Sequence, residues 1–116
     1  MTNTTLKKIT KAEKRACFLD GAVGARYSAY EAIENCEDNG TCNFDMCIFK
    51  KEPYFTYAEY VQIFAEAGLK VRKYSTGWLC VNEIHGQANR NTTFHKTLAK
   101  ELAENGYKTS IHYQMD

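Results

Sequence analysis

The sequence predicts an α+β fold: an N-terminal helix followed by a core that runs strand, helix, strand, strand, helix, strand, its four strands forming one antiparallel sheet. Three observations predict it. Thr-x-x-Glu capping boxes at Thr10/Glu13 and Thr56/Glu59 each open a helix. Gly68 and Gly106 stand where two helical patterns stop. Between and beyond the helices lie short segments that alternate in polarity or are rich in β-branched and aromatic residues, as strands do.

Residues 1–9 are polar and read as a frayed N-terminus. A helix over 10–36 follows. Ala12, Ala16, Leu19, Val23, Tyr27, Tyr30 and Ile33 recur along it at helical spacing and form its apolar stripe. A second row, Ala22, Ala25, Ala29 and Ala32, is small throughout. It suits close packing within the monomer or against a second copy. Gly21 and Gly24 each cost about 1 kcal/mol relative to Ala, which predicts a break or bend near Asp20-Gly21. Glu37-Asp38-Asn39-Gly40 supplies turn chemistry.

The core spans 43–114. Phe44, Met46 and Ile48 alternate with Asp45, Cys47 and Phe49 in a first strand that ends before Pro53. The helix opened by Thr56 carries Tyr57, Tyr60, Val61, Phe64 and Ala67 on one side. Leu69–Tyr74 and Trp78–Ile84 flank Ser75-Thr76-Gly77, a hairpin loop with Gly last. That loop pairs Tyr74 with Trp78 and sets Leu69 and Val71 on one face with Leu79 and Val81. A third helix starts near 91–93, with Phe94, Leu98 and Leu102 along its stripe. A last strand alternates from Tyr107 to Tyr113. This β-α-β-β-α-β order is the split βαβ, ferredoxin-like pattern. It predicts that Phe64, Val71, Val81, Phe94, Leu98 and Ile111 are buried together.

Composition bounds the function without naming it. The chain of 116 residues fits a single domain, with 44% hydrophobic and 25% charged residues. The formal net charge is +1, so the whole molecule is no electrostatic partner for nucleic acid. Its distribution is uneven: residues 36–68 carry 2 basic and 6 acidic groups, and residues 69–116 carry 7 basic and 4 acidic. There is no bilayer-length apolar run and no apolar signal core, which predicts a soluble cytoplasmic protein with no membrane partner. The sequons at Asn3 and Asn91 are then chance matches.

Chemistry has few footholds. Cys36, Cys42 and Cys47 are the densest cysteine cluster, but the spacing lacks the CxxC knuckle of zinc sites. A fourth ligand would have to be Cys80 or His85. A Cys36–Cys42 disulfide is no better supported, and free thiols are the simpler reading in a reducing compartment. Cys80 with His85 or His95 would make a nucleophile and base, but no Gly-rich elbow or helix N-terminus stands directly behind Cys80. No phosphate loop, dinucleotide fingerprint or HExxH is present, and no cofactor is expected.

The sheet face away from the helices is the candidate site. In the register above it shows Phe49, Lys70, Arg72, Tyr74, Trp78, Lys108 and His112. Aromatics interleaved with cations stack on rings and pair with acidic groups or phosphates. The pattern of the RNA-recognition motif, which shares this topology, is not met: Thr76–Glu83 keeps Gly77, Trp78 and Val81, but Cys80 and Glu83 stand where aromatics belong. Two plainer readings compete: the N-terminal helix covers this face, or its aromatics are ordinary core. The leading expectation is a non-catalytic protein-binding module, monomeric or homodimeric, acting as an inhibitor or adaptor. Its partner is a protein or nucleoprotein complex; a phage or mobile-element inhibitor of a host defence complex, in the manner of anti-CRISPR proteins, is the concrete form. A single-stranded nucleic-acid-binding domain is the alternative, and a small enzyme around Cys80 and the histidines ranks last.

Overall fold

The computed structural model describes residues 9–37 and 44–113. Most of the expected frayed terminus, most of the turn over Glu37–Gly40, Cys42 and the chain beyond Tyr113 lie outside them. The described elements are α1 (Lys11–Ile33), β1 (Met46–Lys50), α2 (Tyr57–Glu66), β2 (Val71–Ser75), β3 (Trp78–Val81), α3 (Ala88–Glu104) and β4 (Thr109–His112). The strands form one sheet in the order β2-β3-β1-β4, every neighbouring pair antiparallel. The fold is α+β, with α2 and α3 against one sheet face and α1 packed outside them as a third layer. No described helix is long and apolar enough to cross a membrane.

Both capping boxes form. Thr10 Oγ1 accepts from the Glu13 N–H at 3.1 Å while Glu13 Oε1 accepts from the Thr10 N–H at 2.9 Å, and Thr56 with Glu59 repeats the same reciprocal pair. Gly68 and Gly106 have φ of +90° and +94°, left-handed values that an L side chain adopts only with strain. The far end of α1 is closed from α3: Arg90 donates to the carbonyls of Ile33 at 3.0 Å and Cys36 at 3.1 Å. The Ile33 carbonyl also accepts from the Cys36 N–H at 3.1 Å, so the helix end is closed from both its own chain and α3.

The small row packs within the monomer, as expected, except for Ala32, which is exposed; the expected larger stripe is buried only at Ile33 and partly at Leu19. Ala22, Ala25 and Ala29 are fully inaccessible, with Phe18 and Ile33 beside them. Of the larger stripe, Val23 is 48% exposed, Tyr27 68% and Tyr30 37%. Fit decides this over hydrophobicity. Short side chains let the α1 backbone lie close to α3, where Tyr or Val would hold it off. The helix also runs unbroken across Asp20-Gly21. A Cβ on Gly21 would sit 3.1 Å from Asn105 Cβ, so this glycine serves a close approach and not a break.

The core lies between the sheet and α2/α3. Phe49 stacks on Phe64 at 4.6 Å between centroids, and Tyr107 meets both rings edge-on. The Tyr107 hydroxyl donates to the Phe18 carbonyl at 2.9 Å, tying α1 to the approach to β4. Phe64, Val71, Val81, Phe94 and Leu98 are buried as expected; Ile111 is only partly so, packed on the edge of the cluster. A polar network crosses this apolar body. The Cys47 N–H donates to His95 Nδ1 at 3.0 Å, and His95 Nε2 donates to the Glu83 carbonyl at 2.8 Å. Asn91, fully buried, accepts from the His85 N–H and donates to the Asp45 carbonyl. A glycan at Asn91 is sterically excluded.

The hairpin register holds through most of its length: Val71, Arg72 and Lys73 pair with Val81, Cys80 and Leu79. Its end differs from expectation. Ser75, not Tyr74, pairs with Trp78, so the loop is Thr76-Gly77 and Tyr74 is the extra residue of a β-bulge.

Candidate partner-binding surface

Residues directly opposite one another across paired strands share a face. Arg72 lies opposite Cys80, Cys80 opposite Ile48, and Ile48 opposite Ser110. Lys50 lies opposite Trp78, and Met46 opposite His112. These residues form the sheet face turned away from the helices, with Lys70 and Lys108 continuing its alternation beyond β2 and β4. The first layer above the opposite face is α2 and α3, and α1 packs on them, so α1 does not cover this surface.

All the predicted site residues come together here except Phe49. Phe49 pairs with Leu79, is fully buried and points at α2. The sequence could not fix this parity because β1 is apolar on both sides: Met46 and Ile48 compete with Cys47 and Phe49. The structure adds Lys50, Met46 and Ile48 to the open face in its place. Once Phe49 is assigned inward, period-two alternation alone would have found them.

Tyr74 and His112 meet over the sheet. The Tyr74 hydroxyl and His112 Nδ1 are 2.6 Å apart, with the rings edge-on at 5.3 Å between centroids. Tyr74 continues the alternation of Lys70 and Arg72 onto this face. Beneath this span Cys80 is fully inaccessible although it points away from the helices. Trp78 is half-buried.

Lys50, Lys70, Arg72 and Lys108 surround these rings, exposed, and make no ion pair among the described residues. Among the described residues, Arg72 donates to the Lys73 carbonyl, at 3.4 Å. A cavity of about 300 Å³ opens at the end of the face, lined by Phe44, Met46, Arg72, Asn82, Glu83 and Ile84. Its one carboxylate is already committed: Glu83 accepts from the Lys70 N–H at 2.7 Å and lies 2.8 Å from His85 Nε2. Burial alone would raise the Glu83 pKa, but these hydrogen bonds outweigh it and hold the carboxyl below its ordinary value. The surface therefore offers apolar rings framed by uncompensated positive charge.

The cysteines and histidines sit apart from one another in role. Burial pushes the Cys80 thiol up despite nearby Arg72, and pushes Cys47 further. His95 bonds through both ring nitrogens to backbone on the helix side of the sheet, while Cys80 faces the other way. His85 stacks on Phe94 at 3.7 Å and bonds Glu83. Cys36 lies 4.0 Å from Thr93 Oγ1, and Cys47 is buried in β1. No group of three His, Cys, Asp or Glu side chains that could hold a metal ion occurs among the described residues.

In comparisons with known proteins, no family model, curated protein or solved structure matches this chain.

Proposed function

We propose that the open sheet face docks the acidic surface of a partner protein, and that the chain is a non-catalytic binding module acting as an inhibitor or adaptor. The observation that carries this reading is the set Lys50, Lys70, Arg72 and Lys108, which form no ion pair among the described residues, around the half-buried Trp78 and the Tyr74–His112 pair. Apolar rings give up little entropy on docking, and charges without local partners set which partner is accepted. We read the frame as ferredoxin-like; the order β2-β3-β1-β4, with β1 and β3 central, supports this. The concrete form we propose is a cytoplasmic inhibitor of a host defence complex, anti-CRISPR-like in action. A nucleoprotein complex would meet the cationic face with carboxylates or phosphates.

A second reading has its own observation. Trp78 stands directly opposite Lys50, a ring beside a cation, which suits a stacked base and its phosphate in single-stranded nucleic acid. One experiment separates the two. The tagged chain is used as bait in a bacterial lysate, with and without nuclease. A protein recovered in both arms and released by Arg72→Ala supports the first reading. Nucleic acid recovered alone, lost on nuclease treatment, supports the second.

A further inference from the structure

We infer that the outward face of α1 is a second docking surface, and that it takes a basic amphipathic helix of a partner protein. Val23, Tyr27 and Tyr30 fall at i, i+4 and i+7, the anchor spacing of helix-to-helix recognition, and are 48%, 68% and 37% exposed. Val23 and Tyr27 are not needed to hold α1 in place, because Phe18, Ala22, Ala25, Ala29 and Ile33 do that from the other side. Tyr30 is preorganised: it leans edge-on against His85 at 5.1 Å and Phe94 at 5.2 Å, with the Arg26 guanidinium over its ring at 4.6 Å. A ring already held in place loses little freedom on binding.

Charge selects the occupant. The carboxylates of Asp20, Glu31 and Glu34 flank this face and form no ion pair among the described residues. Of the α1 cations, Lys11 pairs with Glu59, Arg15 with Glu66 and Lys14 lies over the Tyr54 ring, while Arg26 bonds the Gly68 carbonyl at 3.2 Å with its guanidinium over Tyr30, so the acidic shoulder lies on the Tyr27 side. Tyr27, Tyr30, Glu31 and Glu34 line an open depression of about 240 Å³. An apolar stripe with an acidic shoulder beside Tyr27 fits a helix with an apolar stripe and a basic shoulder. The same face of a second copy would bring its own Asp20, Glu31 and Glu34, and like charges oppose that pairing.

The probe is a short fluorescein-labelled peptide of Leu and Lys in amphipathic helical order, with a Leu/Glu counterpart, read by anisotropy. The expected result is saturable binding of the Leu/Lys peptide and none of the Leu/Glu peptide. Tyr27→Ser and the pair Glu31→Lys with Glu34→Lys each weaken binding about tenfold with unchanged thermal melts. Arg72→Ala, on the open sheet face, leaves it intact. The inference is overturned if the Leu/Lys peptide does not bind, if both peptides bind alike, or if Tyr27→Ser is without effect. It is also overturned if sedimentation shows self-association that Tyr27→Ser abolishes, which would assign the face to a second copy.

Discussion

The Tyr74 hydroxyl lies 2.6 Å from His112 Nδ1 although the two residues belong to opposite edge strands, with β3 and β1 between them. Their side chains therefore span the sheet and shield what lies below. Tyr74→Phe removes one hydrogen bond and should lower stability by about 1 kcal/mol. His112→Ala opens the span, and Cys80 should then react with a thiol reagent faster than in the parent protein. An unchanged rate, with the fold intact by circular dichroism, would mean that something else covers Cys80.

The two faces of α1 predict opposite responses. Ala25→Leu forces methylenes into a fully buried contact and should destabilise by about 1–3 kcal/mol. Tyr27→Ser, on the exposed face, should stay within about 0.5 kcal/mol of the parent. Urea titration of both variants measures the contrast, and a larger loss for Tyr27→Ser would invert the assignment.

His95 gives the fold an acid limit. Burial is the main cause that lowers its pKa from 6.5 to about 4. The folded state thus favours the neutral ring, so this contribution is fully present above pH 6.5. It is lost as pH falls from there through about 4. The loss is of order 3 kcal/mol. His95→Gln removes the titrating group and should flatten the dependence of unfolding free energy on pH in this window, at a lower overall stability.

For the sheet face, Arg72→Ala is the most informative single change, because the side chain is exposed and its removal should leave the melt unaltered. With the partner in hand, calorimetry should show a loss of about 2 kcal/mol or more in binding. A ligand whose affinity falls steeply and linearly in log–log against salt would instead identify nucleic acid.

The local signals were legible. The capping boxes at Thr10 and Thr56, the stops at Gly68 and Gly106, and the pairing of Val71 with Val81 each depend on residues close in sequence or on a short hairpin. Choices between two apolar faces were not. In β1 both parities are hydrophobic, so Phe49 could be set inward only by what α2 presents to it, Phe64. In α1 the Ala row wins because α3 is close, which no periodicity within α1 reveals. The bulge at Tyr74 was hidden for a related reason: the count Ser75-Thr76-Gly77 fits a regular loop equally well. The His95 bridge joins Cys47 to Glu83 across long stretches of chain, and nothing near His95 announces it.

The same bulge has a consequence for how this protein behaves at high concentration. β2 is an outer strand, and an outer strand presents unpaired amide and carbonyl groups that can template another chain. The irregularity between Lys73 and Ser75 breaks the straight run of those groups, and Arg72 and Lys73 place like charges along it. A neighbouring strand approaching β2 would meet a mismatched spacing and a positive edge, and the sheet is thereby kept from growing into an aggregate along this side.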